Sequence, residues 1–440
     1  MSLIELGYVA DAGAAPEPPP DRRTARRLLV ALIAVLCLAG LAGSTRPRPH
    51  GLVQLWSIAH VGEASFTVVG DTVIVLGADS RTLTSYWLSS GRERWSRTLP
   101  EDVPYLEVNR DDRVLLLAVG QTLTHPEPDT TLSFFTETIA LDAASGATLW
   151  RGAGVGSGWP ATGTALLQER TPDGASTALL RLVRLADGST VWSRETPEVQ
   201  GWTTLGADPK LPDRIATVSS AGDVWVLRLA DGTEAASGTV DWPPVSPQRG
   251  DYNDLVAEGD GLYVLRSTRG SATATAYSDR TLERLWTVTR PAHDNGFYDC
   301  GTVLCANGDD ELLGYDWQTG AVRWSTPGQE NAMPAGPGRL ITEIGGAEVH
   351  RSLLDAATGR RLADLGNDRP PWNFTGGTLV MLGASRSQAG RTVVHWVDPA
   401  TGKTFTLGTV DGAVDSGCQI ADRLLLCISV PDRLTVTAVG

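Results

Sequence analysis

The chain has almost no lysine. Of its 37 basic residues only Lys210 and Lys403 are lysines, and 51 Asp and Glu leave a net charge of −14. The arginine bias reads as a genome's composition and not as a basic binding surface. An acidic surface repels phosphate backbones, so nucleic acid is not an expected partner. Helix-favouring stretches are scarce beyond the N-terminus, which points away from helical and α/β classes. Cysteine is sparse: Cys37, Cys300, Cys305, Cys418 and Cys427, with no adjacent pair and no C-x-x-C spacing of the kind zinc sites use. There is no G-x-S-x-G turn, and no histidine sits in a recognisable nucleophile–base arrangement.

What is present is a repeat. Gly-centred turns recur at Ser89-Ser90-Gly91, Ala144-Ser145-Gly146, Ala186-Asp187-Gly188, Ala230-Asp231-Gly232, Gln318-Thr319-Gly320, Ala357-Thr358-Gly359 and Ala400-Thr401-Gly402, with Arg280-Thr281-Leu282 in the same place but lacking the glycine. Their spacing of about 38–55 residues is that of a β-propeller blade. An Asp often opens the turn, as at Asp142, Asp279, Asp316, Asp355 and Asp398. Trp95, Trp150, Trp192, Trp286 and Trp324 each follow four residues after the turn position. The glycine permits positive φ between strands C and D, and the Asp can accept hydrogen bonds from backbone N–H groups across the turn. The Trp is predicted to dock neighbouring blades, with its indole N–H needing an acceptor. Docking is expected to be weaker at Ala236, Ala363 and Phe405–Thr406, where the Trp is missing.

In the first repeat Ser65–Val69 reads as strand A, Thr72–Leu76 as B, Leu83–Leu88 as C and Glu93–Thr98 as D. The B strands are continuous apolar runs, such as Val73-Ile74-Val75-Leu76, so both of their faces are predicted to be buried between stacked sheets. After Gly402 the chain supplies A, B and C without D. Val53-Gln54-Leu55-Trp56-Ser57 supplies a D strand with nothing ahead of it. The two ends are therefore expected to complete one blade, hiding both edges, with Trp56 as its docking residue. That count gives nine blades.

The N-terminus is different. Residues 1–27 read as a disordered cytoplasmic tail, its opening Leu3–Val9 either a short docking peptide or a frayed end. Arg22, Arg23, Arg26 and Arg27 precede Leu28–Gly43, which carries no charge and spans about 24 Å as a helix. This is the pattern of a membrane anchor at 28–43, or of a cleaved signal peptide, with the arginine side in the cytoplasm. Residues 44–51 form a linker and 52–440 the propeller, in a single-pass protein of the cell membrane with its propeller outside the cytoplasm.

The stretches Leu313-Gly314-Tyr315-Asp316-Trp317-Gln318-Thr319-Gly320-Ala321-Val322-Arg323-Trp324 and Ile139–Trp150 resemble the quinoprotein-type (PQQ-like) propeller repeat. The resemblance implies an all-β propeller of four-stranded antiparallel blades, eight by family norm. It covers residues 52–440. Enzymes and non-enzymes share the repeat, the latter including the propeller subunit of the outer-membrane-protein assembly machine and anchored actinobacterial proteins. The enzymes use an adjacent-cysteine disulfide, PQQ, and an acidic base near calcium. No region here matches that pattern, so no cofactor is expected. The expected function is a monomeric binding scaffold for a protein or cell-wall partner. The alternative is a quinoprotein-like oxidoreductase.

Cys300/Cys305 and Cys418/Cys427 each bracket an A–B hairpin and are predicted to be cross-strand disulfides, the alternative being a four-cysteine metal site. Asn307-Gly308-Asp309-Asp310-Glu311 is a solvated turn or a calcium loop. His293-Asp294-Asn295 is a polar D–A loop. Two insertions, Thr122–Ser133 in a B–C connection and Asp241–Asn253 in a D–A connection, emerge at the same end of the blades. They make His125, Glu127, Trp242 and Arg249 candidate partner-binding residues.

Overall fold

The computed structural model describes residues 51–440 except 60–64, 104–105, 107–112, 128–129, 209, 245–249, 292–295, 309, 346–348, 372–377, 413–416 and 430–432. The tail, the anchor at 28–43 and most of the linker lie outside the described residues, as does His293-Asp294-Asn295. Among the described residues no helix is long and apolar enough to cross a membrane.

The regular structure of the described chain is almost wholly strand, with one 3₁₀ turn at Pro160–Thr162. The strands form eight antiparallel sheets, seven of them meanders in chain order and the eighth closed by the first strand beside the last. One has seven strands because Thr190–Leu205 serves as the outer strand of one meander and the inner strand of the next. Two have three strands; in one of them Leu379–Ala384 is met on its inner side by a single bridge, Arg369 to Leu382. The first repeat falls where the sequence places it, at Phe66–Val69, Thr72–Leu76, Thr82–Trp87 and Glu93–Thr98.

Alternation explains the stacking. Ile74 and Leu76 pack with Leu115 and Leu117 of the following sheet. Val73 and Val75, on the other face of the same strand, pack with Leu426, Leu434 and Val436 of the preceding one. A strand buried on both faces must be sandwiched between sheets. The sheet preceding Phe66 is the terminal one: Leu52–Ala59 pairs antiparallel with Arg433–Val439, from Leu52 opposite Val439 to Ala59 opposite Arg433. The same terminal sheet packs through Leu425 and Val439 on Val380, Leu382 and Val394 of the sheet before it. The stack thus closes on itself, and the architecture is that of a β-propeller.

The seams between sheets follow one rule. Each indole Nε1 donates to a backbone carbonyl three residues before the next repeat's turn glycine: Trp56 to Leu88, Trp95 to Ala143, Trp150 to Leu185, Trp192 to Leu229, Trp286 to Trp317 and Trp324 to Ala356, at 2.7–3.2 Å. The ring then lies flat over that glycine. A Cβ on Gly91, Gly146, Gly188, Gly232, Gly320 or Gly359 would come within 2.5–2.8 Å of the indole, and all six have φ between +65° and +69°. The turn glycine is thus fixed twice, by its own backbone and by the Trp of the preceding repeat.

At two of the three positions that lack the Trp, an arginine reaches the residue that carries the acceptor in the other seams. Opposite Ala363, Arg339 Nε donates to the Pro399 carbonyl, three residues before Gly402, at 2.5 Å. Opposite Ala236, Arg214 Nη2 donates at 2.7 Å to the carboxylate of Asp279, three residues before Leu282. Arg214 and Arg339 both open a B strand. In that seam Leu282 adopts φ +56° without being glycine. Its side chain packs beside Ala236 and fills the volume an indole occupies elsewhere. Asp279 is 1% exposed and Arg214 20%. Removing the carboxylate with Asp279→Ala leaves the guanidinium with only Asp213, 3.5 Å away and largely exposed. The expected loss is about 2 kcal/mol, below the figure for a fully buried pair because Arg214 is partly solvated. Arg228→Ala, on an exposed pair, should change stability by less than about 0.5 kcal/mol in the same denaturation assay.

Cys300–Cys305 and Cys418–Cys427 are disulfides, which removes the four-cysteine metal alternative. Cys418 and Cys427 are register partners across the hairpin. Cys300 and Cys305 are not, contrary to expectation: Tyr298 stands opposite Cys305. Cys300 lies past the strand end, in the turn where its N–H bonds the Val303 carbonyl.

Candidate functional site

The first predicted insertion is not a loop. Thr122–Ser133 lies in a long hairpin, Val114–Glu127 against Thr130–Asp142, whose register runs from Val114 opposite Asp142 to Thr124 opposite Leu132. Backbone pairing continues because Thr, Phe and Leu alternate through it. The hairpin leans on the next sheet: Thr124 Oγ1 donates to the Asp173 carbonyl at 2.7 Å, and Phe134 covers Gly174. His125 is exposed, its Nδ1 3.2 Å from Thr131 Oγ1 across the hairpin. Glu127 ends its strand. Leu123 is 62% exposed near the tip.

Trp242 is a correction. It is 7% exposed and packs in the core with Val218, Val240 and Leu255. Its Nε1 donates to Gln200 Oε1 at 3.1 Å. Burial against two sheets makes it a structural residue that no partner can reach. Arg249 lies outside the described residues.

The same end of the sheets holds a cavity that the sequence reading does not anticipate. Its volume is about 1270 Å³, and it opens between Arg361–Gly366 and the three-stranded sheet formed by Leu379–Ala384, Arg391–Val397 and Thr404–Asp411. This is the seam where Ala363 stands in the Trp position, and Asp364, the next residue, is part of the lining. Two His–Asp pairs line it. His350 Nε2 lies 2.7 Å from Asp364 Oδ1, and His395 Nε2 lies 3.5 Å from Asp368 Oδ2.

The two carboxylates differ. Asp364 accepts from the Gly366 N–H at 2.9 Å and pairs with Arg361 at 3.0 Å as well as with His350. These contacts, the Gly366 hydrogen bond first, hold its pKa below the usual carboxylate value. Asp368 sits deeper, and burial raises its pKa despite the opposing pull of His395, Arg351 and Arg386. It can sit there because position 383 is glycine: a Cβ would lie 2.0 Å from Asp368 Oδ1. His395 Nδ1 is in turn 3.1 Å from Thr406 Oγ1, so the imidazole is held between a hydroxyl and a carboxylate.

Among the described residues no three His, Cys, Asp or Glu side chains converge on one point. Neither disulfide joins adjacent cysteines. Beside the 308–310 turn, Asn307 is bonded to Tyr298 and Asn331, and Glu311 to Ser325.

No family model matches the chain. No curated protein matches it either. Among solved structures it is similar to BamB from Moraxella catarrhalis, at 13% identity over 88% of this chain and 97% of that one, with a TM-score of 0.42. The C-terminal WD40 domain of Sif2 aligns at 9% identity over 88% and 98%, with a TM-score of 0.47. A europium-containing methanol dehydrogenase aligns at 13% identity over 88% and 93%, with a TM-score of 0.41. At these identities and scores no activity passes from any of them to this chain.

Proposed function

We propose that the protein is a membrane-anchored binding propeller of nine blades that holds a protein or cell-wall partner outside the cytoplasm and catalyses nothing. Residues 28–43 anchor it, with 1–27 inside. The nine-blade count takes the seven-stranded sheet as two blades sharing Thr190–Leu205. The observation that carries the reading is the contrast between the two ends of the sheets. One end is sealed by tight C–D turns under Trp rings. The other carries the projecting hairpin and the open cavity, and a rigid ring presenting irregular features on one end suits recognition.

Photo-crosslinking in intact cells tests this. A crosslinking residue in place of Leu123 or Ser387 should yield partner adducts, and one in place of Arg92 on the sealed end should not. Adducts from Arg92 alone would reject the assignment of the face. Protease added to protoplasts should release the propeller, and full protection would reject the topology. A rise in melting temperature on adding PQQ with calcium would favour the oxidoreductase alternative instead.

A further inference from the structure

We propose that the cavity beside Asp368 binds a short zwitterionic peptide, its ammonium group on Asp368 and its carboxylate on Arg386. The inference deepens the binding reading above and rests on it for the choice of face. The argument starts from which groups in the cavity still have capacity. Asp364 is already engaged three times, by a backbone N–H, an imidazole and a guanidinium, which leaves it little acceptor capacity. Asp368 is approached by His395 at 3.5 Å, longer than a hydrogen bond, which leaves its carboxylate with acceptor capacity toward the cavity. The chain keeps that carboxylate in place at the cost of a glycine at 383. It also fixes the neighbouring imidazole with Thr406.

Arg386 supplies the opposite charge. It lines the cavity from the exposed turn after Ala384 and acts electrostatically on Asp368. No carboxylate among the described residues forms an ion pair with it. A purely anionic ligand would meet Asp368, and a purely cationic one would meet Arg386. A ligand carrying both charges satisfies both groups, and a guanidinium offers a carboxylate two parallel donors. Size and polarity agree. The volume exceeds that of most small-molecule pockets, and Ser385, Ser387, Thr404 and Thr409 line it with hydroxyls suited to peptide amides. Among the described residues no Phe, Tyr or Trp lines it.

The test uses residues 44–440 with both disulfides intact and the full-length protein in detergent, side by side. The probes are a pool of tripeptides with free termini, the same pool N-acetylated, and the same pool C-amidated, read by saturation-transfer NMR and titration calorimetry. The free pool should bind and each blocked pool should bind at least tenfold more weakly. Asp368→Asn and Arg386→Ala should each weaken the free pool at least tenfold with melting temperature unchanged. Asn keeps the shape beside Gly383, so misfolding is not the expected outcome. Equal binding of free and blocked pools, no binding of the free pool, or unchanged affinity in both variants would overturn the proposal. Crosslinks from Leu123 that persist in such a case would show that the binding face stands and only the ligand class is wrong.

Discussion

Deleting Leu52–Ala59 should lower the melting temperature of the whole propeller by at least about 5 °C, not merely fray one end. The strand is the outer member of a sheet whose other three strands come from the far end of the chain. It pairs along its length with Arg433–Val439, and Arg433 returns two hydrogen bonds to Ser57. It also carries Trp56, which covers Gly91 and donates to the Leu88 carbonyl of the next sheet. Losing that Trp alone should cost about 3 kcal/mol, near the low end for aromatic truncation because the ring is half-exposed. The deletion adds a bared edge on Arg433–Val439, which offers unpaired N–H and C=O groups to other chains. The variant should therefore also associate in a concentration-dependent way in sedimentation velocity. A melting curve superimposable on that of the parent would mean that the ring does not depend on this closure.

The difference between what the sequence disclosed and what it hid has a physical cause. Strand limits such as Thr72–Leu76 and Glu93–Thr98 were legible because turn glycine, turn Asp and apolar run are all local signals. The terminal closure was legible because an unpaired D strand and an A–B–C set without D are complementary absences. The partnership of Trp with glycine was not, since Trp95 and Gly146 belong to different sheets and nothing local joins them. The arginine seams had a signal that only makes sense in retrospect: Arg214 and Arg339 open B strands in the two repeats whose Trp positions are Ala236 and Ala363. Trp242 misled because Pro243-Pro244 marks a connection, and connections are usually exposed; its burial depends on two sheets that pack from either side. The cavity had no motif at all. Asp368, His395 and Thr406 come from a connection and two strands, and only the register of those strands sets them side by side.

Gly146→Ala should cost about 3 kcal/mol, and the part of that cost due to the clash with Trp95 should disappear when Trp95 is also Ala. Two terms add at this position. An alanine at φ +69° pays roughly 1–2 kcal/mol for the left-handed backbone. Its Cβ would also lie 2.6 Å from the Trp95 ring, which cannot recede because its Nε1 is tied to the Ala143 carbonyl and its body is buried. Overpacking of that kind costs about 1–3 kcal/mol. Trp95→Ala alone should cost about 3–5 kcal/mol through the cavity it leaves. In the double variant the backbone term survives and the clash does not. The two losses should then sum to about 1–3 kcal/mol less than their separate values. Leu282→Gly is the matched control, because that seam has no Trp. There the left-handed strain is relieved, the apolar filling beside Ala236 is lost, and the net change should be the smaller of the two glycine-site effects. Chemical denaturation of the four proteins of the cycle and the control decides the matter. Additive losses at Gly146 and Trp95 would show that the turn glycine answers to its own backbone alone, and that the Trp above it is incidental to its identity.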